Sequence, residues 1–202
     1  MSTPPEDGRM DEQRLVEAAA AGDLQAFEEL ARGVHEQAYR IARRILGNRE
    51  EAADLAQRAC IRVWEQLPGF HPRKGSFRAW YCRIVVNLAI DRHRRLQLQR
   101  RFEIAEEPRS GREPSSSVAA PDALLRAAEI ERVFERVAAF LSGPQRAAFT
   151  LVEIEGMDSA QAAGVMGVRA STVRNHLAAA RAVLRAQMQR LFPEYCRSRD
   201  AG

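Results

Sequence analysis

The sequence predicts an all-α protein of two small helical domains joined by a flexible linker, the second domain containing a helix-turn-helix. Three observations predict it. From Leu15 to Arg95 apolar residues recur at steps of three and four, and no run alternates long enough for a half-buried strand. Between Leu96 and Pro121 that periodicity stops, and Pro108, Gly111, Pro114 and the serines 115–117 take over. From Asp122 to Phe192 it resumes, broken at Gly156 and again at Gly167.

Taken in order, residues 1–22 are an N-terminal extension and the start of a first helix. The first domain spans 23–95. Phe27, Leu30, Val34, Ile41 and Ile45 mark one long helix that stops at Gly47, a residue suited to the left-handed conformation. Asn48 and Glu51 are spaced as a capping box for a second helix with Leu55, Ala59, Val63 and Leu67 inward, closed by Pro68-Gly69. Ser76 caps a third, carrying Phe77, Trp80, Tyr81, Ile84, Val85 and Leu88 on one side. The linker is 96–121, the second domain 122–192 and the tail 193–202. In the second domain a stripe of Ile130, Val133, Val137 and Phe140 ends at Ser142-Gly143-Pro144. It restarts through Ala148, Leu151 and Val152.

The chain has 202 residues, 46% of them hydrophobic, enough for a real core. Its 31 Lys and Arg outnumber 27 Asp and Glu, and Lys74 is the single lysine. Arginine grips phosphates with two parallel hydrogen bonds, so a polyanionic partner fits, as does the arginine bias of a GC-rich genome. Cys60, Cys82 and Cys196 lie far apart, with no paired or histidine-adjacent spacing for a disulfide framework or zinc. No stretch reaches the ~20 apolar residues of a membrane span, and Met1 to Arg9 lacks the apolar heart of a signal peptide, so a cytoplasmic protein is expected. His35, His71, His93 and His176 are isolated, and no glycine-rich phosphate loop appears, which argues against an enzyme.

In the second domain Asp158 and Gln161 are spaced as a capping box for a short helix that Gly167 ends. A further helix from about Ser171 turns Val173, Leu177, Ala180 and Leu184 inward. It leaves Thr172, Arg174, Asn175, His176, Ala178, Arg181 and Arg185 around the rest of the helix. Between Asp158 and Glu194 there is no acidic residue, while Arg169, Arg174, Arg181, Arg185 and Arg190 fall in that window. Two short helices about a glycine turn, the second basic outside, fit a helix-turn-helix whose second helix enters the major groove. Arg174 and Asn175 have the chemistry to read guanine and adenine edges. A plain helical hairpin with a solvated basic face is the competing reading.

The third helix of the first domain joins Phe77, Trp80 and Tyr81 to a basic face of Arg78, Arg83, Asn87, Arg92, Arg94 and Arg95. Aromatics beside arginines suit the unstacked bases of a single strand, although aromatics at helical spacing are more often core. Phe77-Arg78-Ala79-Trp80, Arg83-Ile84 and Asn87-Leu88-Ala89-Ile90-Asp91-Arg92 with Arg94-Arg95 resemble the promoter-melting segment of bacterial sigma factors of the extracytoplasmic-function (ECF) group. Asp54-Leu55-Ala56-Gln57 with Ile61-Arg62-Val63-Trp64 is similar to that family's polymerase-clamp-binding helix. Gly167-Val168, Ser171 to Arg174 and Ala180 to Arg185 resemble its helix-turn-helix. The three motifs follow one another in register from about Asp23 to Met188.

The resemblance implies a factor that binds core RNA polymerase and directs it to promoter DNA, with no cofactor. It places Asp54, Leu55, Gln57, Ile61 and Trp64 on the clamp, with Leu55 and Trp64 equally readable as core. It places Arg73, Lys74, Ser76, Arg78, Arg83, Asn87, Arg94 and Arg95 at the minus-ten element. Asn87 and the loop Phe70 to Ser76 would hold a base flipped from the non-template strand, offsetting a few kcal/mol of unstacking. Ser171, Thr172, Arg174, Asn175, His176 and Arg181 fall at the minus-thirty-five element. An anti-sigma factor is implied as a regulatory partner. Arg58, Ala59 and Cys60 depart from the clamp helix's usual acid, small polar residue and aromatic, and Asn175, His176 and Ala179 replace residues that are often serine and arginine. A stand-alone helix-turn-helix regulator needs neither Asp54 and Gln57 nor Asn87, and is the alternative. The two domains are expected to move independently until a partner fixes them.

Overall fold

The computed structural model describes residues 6–72, 75–106, 122–193 and 195, and among them the fold is all-helical. In chain order the helices are α1 (Glu6–Ala20), α2 (Leu24–Leu46), α3 (Arg49–Gln66), α4 (Phe77–Glu106), α5 (Asp122–Ala138), α6 (Gly143–Phe149), α7 (Ser159–Met166) and α8 (Ala170–Leu191). A 3-10 turn, Leu67–Gly69, follows α3, and a π-helical turn, Thr150–Ile154, follows α6.

Local chemistry sets most of these boundaries. The Asp23 carboxylate accepts from the N–H groups of Gln25 and Ala26 and starts α2, and Gly47, at φ +67°, ends it. Asn48 caps α3 by accepting from Glu50 and Glu51 N–H at 2.8 and 3.0 Å. The Glu51 side chain is engaged elsewhere, however. It receives both Nε and Nη2 of Arg92 on α4 at 2.6 Å, because a buried-edge arginine offers a stronger partner than a backbone amide. At the other sequence-predicted box the reciprocal bonds form: Asp158 accepts from Ala160 and Gln161 N–H, and the Gln161 amide oxygen accepts from Asp158 N–H. Ser142 and Gln145 make a further reciprocal pair at the start of α6, one the sequence reading passed over.

The first domain packs α2, α3 and α4 around Ile41, Ile45, Leu55, Val63, Phe77, Tyr81 and Val85, with α1 laid on α2 through Val16 and Ala19. The second domain turns Val173, Leu177 and Ala180 of α8 inward as expected. Ile130 and Phe140, which bound the predicted stripe of α5, are 68% and 47% exposed. Phe140 instead carries the Arg190 guanidinium on its ring.

Two features differ from expectation. Helix α4 runs to Glu106, eleven residues past the point where the sequence reading begins the linker. Leu96, Leu98 and three glutamine or arginine residues between them and Arg101 are all good helix formers, so nothing local ends it. The two domains also do not stand apart. Ala147, Leu151, Met157, Ala162 and Val165 join the same buried cluster as Tyr81, Val85 and Ala89. Arg146, 3% exposed, donates to the Arg44 carbonyl at the end of α2 and to the Glu135 carboxylate. Gly143 sits so close to α4 that a Cβ there would lie 3.2 Å from the Ile90 carbonyl oxygen.

Candidate nucleic-acid interface

The helix-turn-helix is built as its sequence requires. Gly167 takes φ +69°, which an L side chain rarely adopts, and α8 begins three residues later. With Val173 and Leu177 buried, Ser171, Arg174 and Asn175 come to the surface, while Thr172 and His176 are half-buried at its edge. Arg174 and Asn175 make no side-chain hydrogen bond or ion pair among the described residues, so their donors are available to an edge of a base pair. Arg181 is placed differently. Its Nε and Nη2 both donate to one carboxylate oxygen of Glu153, on the π-helical turn. The pairing joins residues 28 apart, and the sequence carried no local signal for it.

On α4 the predicted residues divide in the same way. Arg78 turns toward α2 and donates to Gln37 Oε1 at 2.7 Å and to the Gly33 carbonyl at 3.1 Å. Arg92 is spent on Glu51, and Arg94 lies 3.9 Å from Asp91. Arg83, Asn87 and Arg95 are exposed. Ser76 Oγ accepts from Ala79 N–H at 3.3 Å and so caps the helix, as expected. Arg73 and Lys74 lie outside the described residues.

Of the three aromatics, Phe77 and Tyr81 are core, 2% and 0% exposed. Burial, followed by Cys60 beside it, raises the Tyr81 phenol well above its ordinary value, and its hydroxyl bonds His35 Nδ1 at 3.2 Å. Trp80 alone reaches the surface, tilted against Phe70 with ring centroids 4.9 Å apart. It shares with Arg83, Asn87 and Asp91, and with Arg62 and Gln66 from α3, a cleft of about 310 Å³. An indole wall beside a carboxamide and two guanidiniums has the chemistry to stack and hydrogen-bond an unpaired base. Arg62 and Gln66 were missed in the sequence because they sit on another helix; Arg83 and Asn87 were read on the basic face of α4 and Trp80 on its apolar side, and the cleft brings the two together. A second cleft, of about 560 Å³, lies between α4 and α7, where Phe70, His71, Arg78 and Trp80 face Met157 and Val165.

Helix α3 presents Asp54, Gln57 and Ile61 to solvent, and Ile61 is 60% exposed, a large apolar side chain on an otherwise polar face. Leu55, by contrast, is core, 5% exposed. Trp64 is half-buried and meets Phe27 edge-on at 5.1 Å. Asp54 is bonded by Arg58 one turn on. Among the described residues no group of three His, Cys, Asp or Glu side chains is placed to hold a metal. The Cys82 thiol is pushed up to about 11 by burial, which keeps it protonated and unreactive.

Comparison with known proteins places this geometry. Residues 30–99 match the model of Sigma-70 region 2, and residues 133–184 match that of Sigma-70, region 4. The ECF RNA polymerase sigma factor SigM of Mycobacterium tuberculosis is 34% identical over 178 residues, which cover 84% of this chain and 81% of that one. SigE of Mycolicibacterium smegmatis, an ECF RNA polymerase sigma factor, is 30% identical across 82% of this chain, which spans 64% of that relative's length. Among solved structures, CnrH in complex with the cytosolic domain of CnrY superposes with a TM-score of 0.62 at 25% identity, over 90% of this chain and 99% of that one. The sigma factor RpoE of Bartonella quintana, in complex with the anti-sigma factor NepR, shares the fold with a TM-score of 0.59 at 19% identity, over 82% and 98%. With both regions in their order along one chain, and with the identity and coverage shared with SigM, this protein belongs to the ECF group of the sigma-70 family of RNA polymerase sigma factors.

Proposed function

We propose that this chain binds core RNA polymerase and directs it to a particular class of promoters. Residues 23–95 act as the clamp- and minus-ten-binding domain, and residues 122–192 as the minus-thirty-five-reading domain. The observation that carries this reading is the pair of surfaces on adjacent helices α3 and α4: an exposed Asp54, Gln57 and Ile61 stripe beside the cleft of Trp80 and Asn87. A stand-alone helix-turn-helix regulator has no use for either.

In this reading Asp54, Gln57 and Ile61 dock on the polymerase clamp, with Leu55 and Trp64 holding their helix in shape. Trp80, Arg83 and Asn87 hold an unstacked base, which offsets the few kcal/mol of opening the duplex. Ser171, Arg174 and Asn175 read the upstream element in the major groove, with Thr172 and His176 at the edge of that surface. Arg181 orients α8 through Glu153 instead of serving as a free phosphate contact. The factor performs no reaction of its own, acts in the cytoplasm beside the polymerase, and is held by an anti-sigma factor, as the relative from Bartonella quintana is in its complex.

The test is transcription in vitro with core bacterial polymerase and fragmented genomic DNA, followed by sequencing of transcript starts. New starts that share two upstream elements are the expected result. Specific duplex binding by the protein alone, with no new starts, overturns the proposal in favour of the stand-alone regulator.

A further inference from the structure

We propose that Glu12, on α1, is a positioning residue for minus-ten strand capture, acting through the first turn of α4. The inference rests on the minus-ten assignment above. A helix leaves its first N–H groups without intrahelical partners, and at α4 these groups border the face that carries Trp80, Arg83 and Asn87. Ser76 takes one of them, the N–H of Ala79. The N–H of Phe77 is taken from outside the helix, by Glu12 Oε1 at 3.0 Å, 65 residues earlier in the chain. A carboxylate is the favoured charge at that end of a helix dipole.

Helix α1 has purchase for this. Val16 and Ala19, each 3% exposed, fix it on α2, and it also contacts the 3-10 turn Leu67–Gly69. The helix thus touches the chain immediately before residue 70 and, through Glu12, immediately after residue 76. Both ends of the segment that leads into α4 are referenced to one helix, itself packed on α2. Phe77 in turn packs its ring against Phe70, Trp80 and Tyr81, with centroids 5.9–6.1 Å apart, so a displaced first turn carries the Trp80 wall of the cleft with it. Glu12 precedes residue 30, where the match to Sigma-70 region 2 begins.

The experiment compares Glu12→Ala and Glu12→Gln holoenzymes with wild type on a promoter recovered from the genomic-fragment transcription. Opening is read by permanganate reactivity of minus-ten thymines, alongside core-polymerase affinity, binding of a minus-thirty-five duplex and thermal unfolding. Glu12→Ala is expected to lower the opened fraction about fivefold, the factor that loss of a ~1 kcal/mol helix cap gives, with core and duplex binding within about twofold of wild type. Glu12→Gln, which keeps an acceptor oxygen, is expected to recover most of the opening. Wild-type opening in the Ala variant overturns the inference. So does a loss shared equally by core binding and duplex binding, which marks a merely structural role, and so does a Gln variant no better than Ala. Unreactive minus-ten thymines in the wild-type holoenzyme instead overturn the minus-ten assignment, and the inference with it.

Discussion

The two surfaces proposed to meet DNA are built on opposite plans. On α4, Arg78 and Arg92 are consumed by bonds to α2 and α3, and what remains is a shaped cleft walled by Trp80 with Asn87 and Arg83 at its mouth. On α8, Ser171, Arg174 and Asn175 stand on an open convex face with no side-chain partner among the described residues to shape them. A concave aromatic cleft suits a base already out of its stack, and a convex helix suits an intact major groove. The difference teaches that counting arginines in the sequence overstates how many meet DNA, because a buried-edge arginine does structural duty first.

Four substitutions test this contrast, and the largest effect concerns the seam between the two domains. Arg146 ties α6 to the end of α2 and to Glu135 from a nearly fully buried position. Arg146→Met is expected to lower the unfolding free energy by about 3 kcal/mol, since it leaves the Arg44 carbonyl and Glu135 without their partner. Urea unfolding measures the loss, and distances between labels on α3 and α8 should widen in the free protein. An unchanged distance distribution would show that the buried apolar contacts alone hold the seam.

Next is His93, buried in the same seam, where Nδ1 has no hydrogen-bond partner among the described residues. Burial first, then the Arg146 and Arg100 charges, push its ionisation from 6.5 down to about 4. The unfolded chain therefore binds a proton more readily than the folded one, and stability is lost as pH falls from about 6.5 toward 4. The contribution is up to about 3 kcal/mol, and His93→Gln should flatten the difference in urea midpoint between pH 7 and pH 5. An identical pH dependence in the variant would place the titration on carboxylates instead.

On α8, Arg174→Ala is expected to weaken specific duplex binding by roughly 1–3 kcal/mol and to relax choice at one base pair. If only the salt dependence changes, Arg174 contacts phosphate. The smallest effect is at Glu51, whose carboxyl the Arg92 hydrogen bonds hold below its ordinary 4.5. Glu51→Gln should cost about 1 kcal/mol at pH 7. The cost should shrink as pH drops into the carboxylate range, because the wild-type pair stabilises only while Glu51 is ionised. Urea midpoints at pH 7 and pH 3.5 give both numbers.

The docked arrangement bears on function as well. Elements named for positions ten and thirty-five lie about 25 base pairs apart, about 85 Å of duplex at ~3.4 Å per pair. Here Gly167, at the turn before the recognition helix, sits so near α4 that a Cβ would lie 3.1 Å from Arg83 Nη2. A protein reading both elements of one promoter must therefore part the two domains from this arrangement, which is what the widened distances in Arg146→Met are designed to mimic.

Much of this was legible in the residues. The helix starts at Asn48, Ser76 and Asp158 and the left-handed stops at Gly47 and Gly167 follow from side-chain oxygens and missing Cβ atoms acting within four residues of themselves. The inward stripes of α2 and α8 follow from a period of 3.6. Which of two readings held at Leu55, Trp64, Phe77, Trp80 and Tyr81 was not legible, because helical spacing fixes a face and not what covers it. The same holds for Arg181 on Glu153, Arg92 on Glu51 and Glu12 on Phe77, partners 28, 41 and 65 residues apart.

Local sequence accounts for the helix starts at Asn48, Ser76 and Asp158, the stops at Gly47 and Gly167 and the outward position of Arg174 and Asn175, since each of these is decided by interactions within a turn or two of chain. Only the tertiary structure decided which arginines are free, that Arg62 and Gln66 complete the Trp80 cleft, and that both domains share one buried seam. A charged side chain takes the nearest strong partner in space, and the chain alone does not record which distant segment folding brings there.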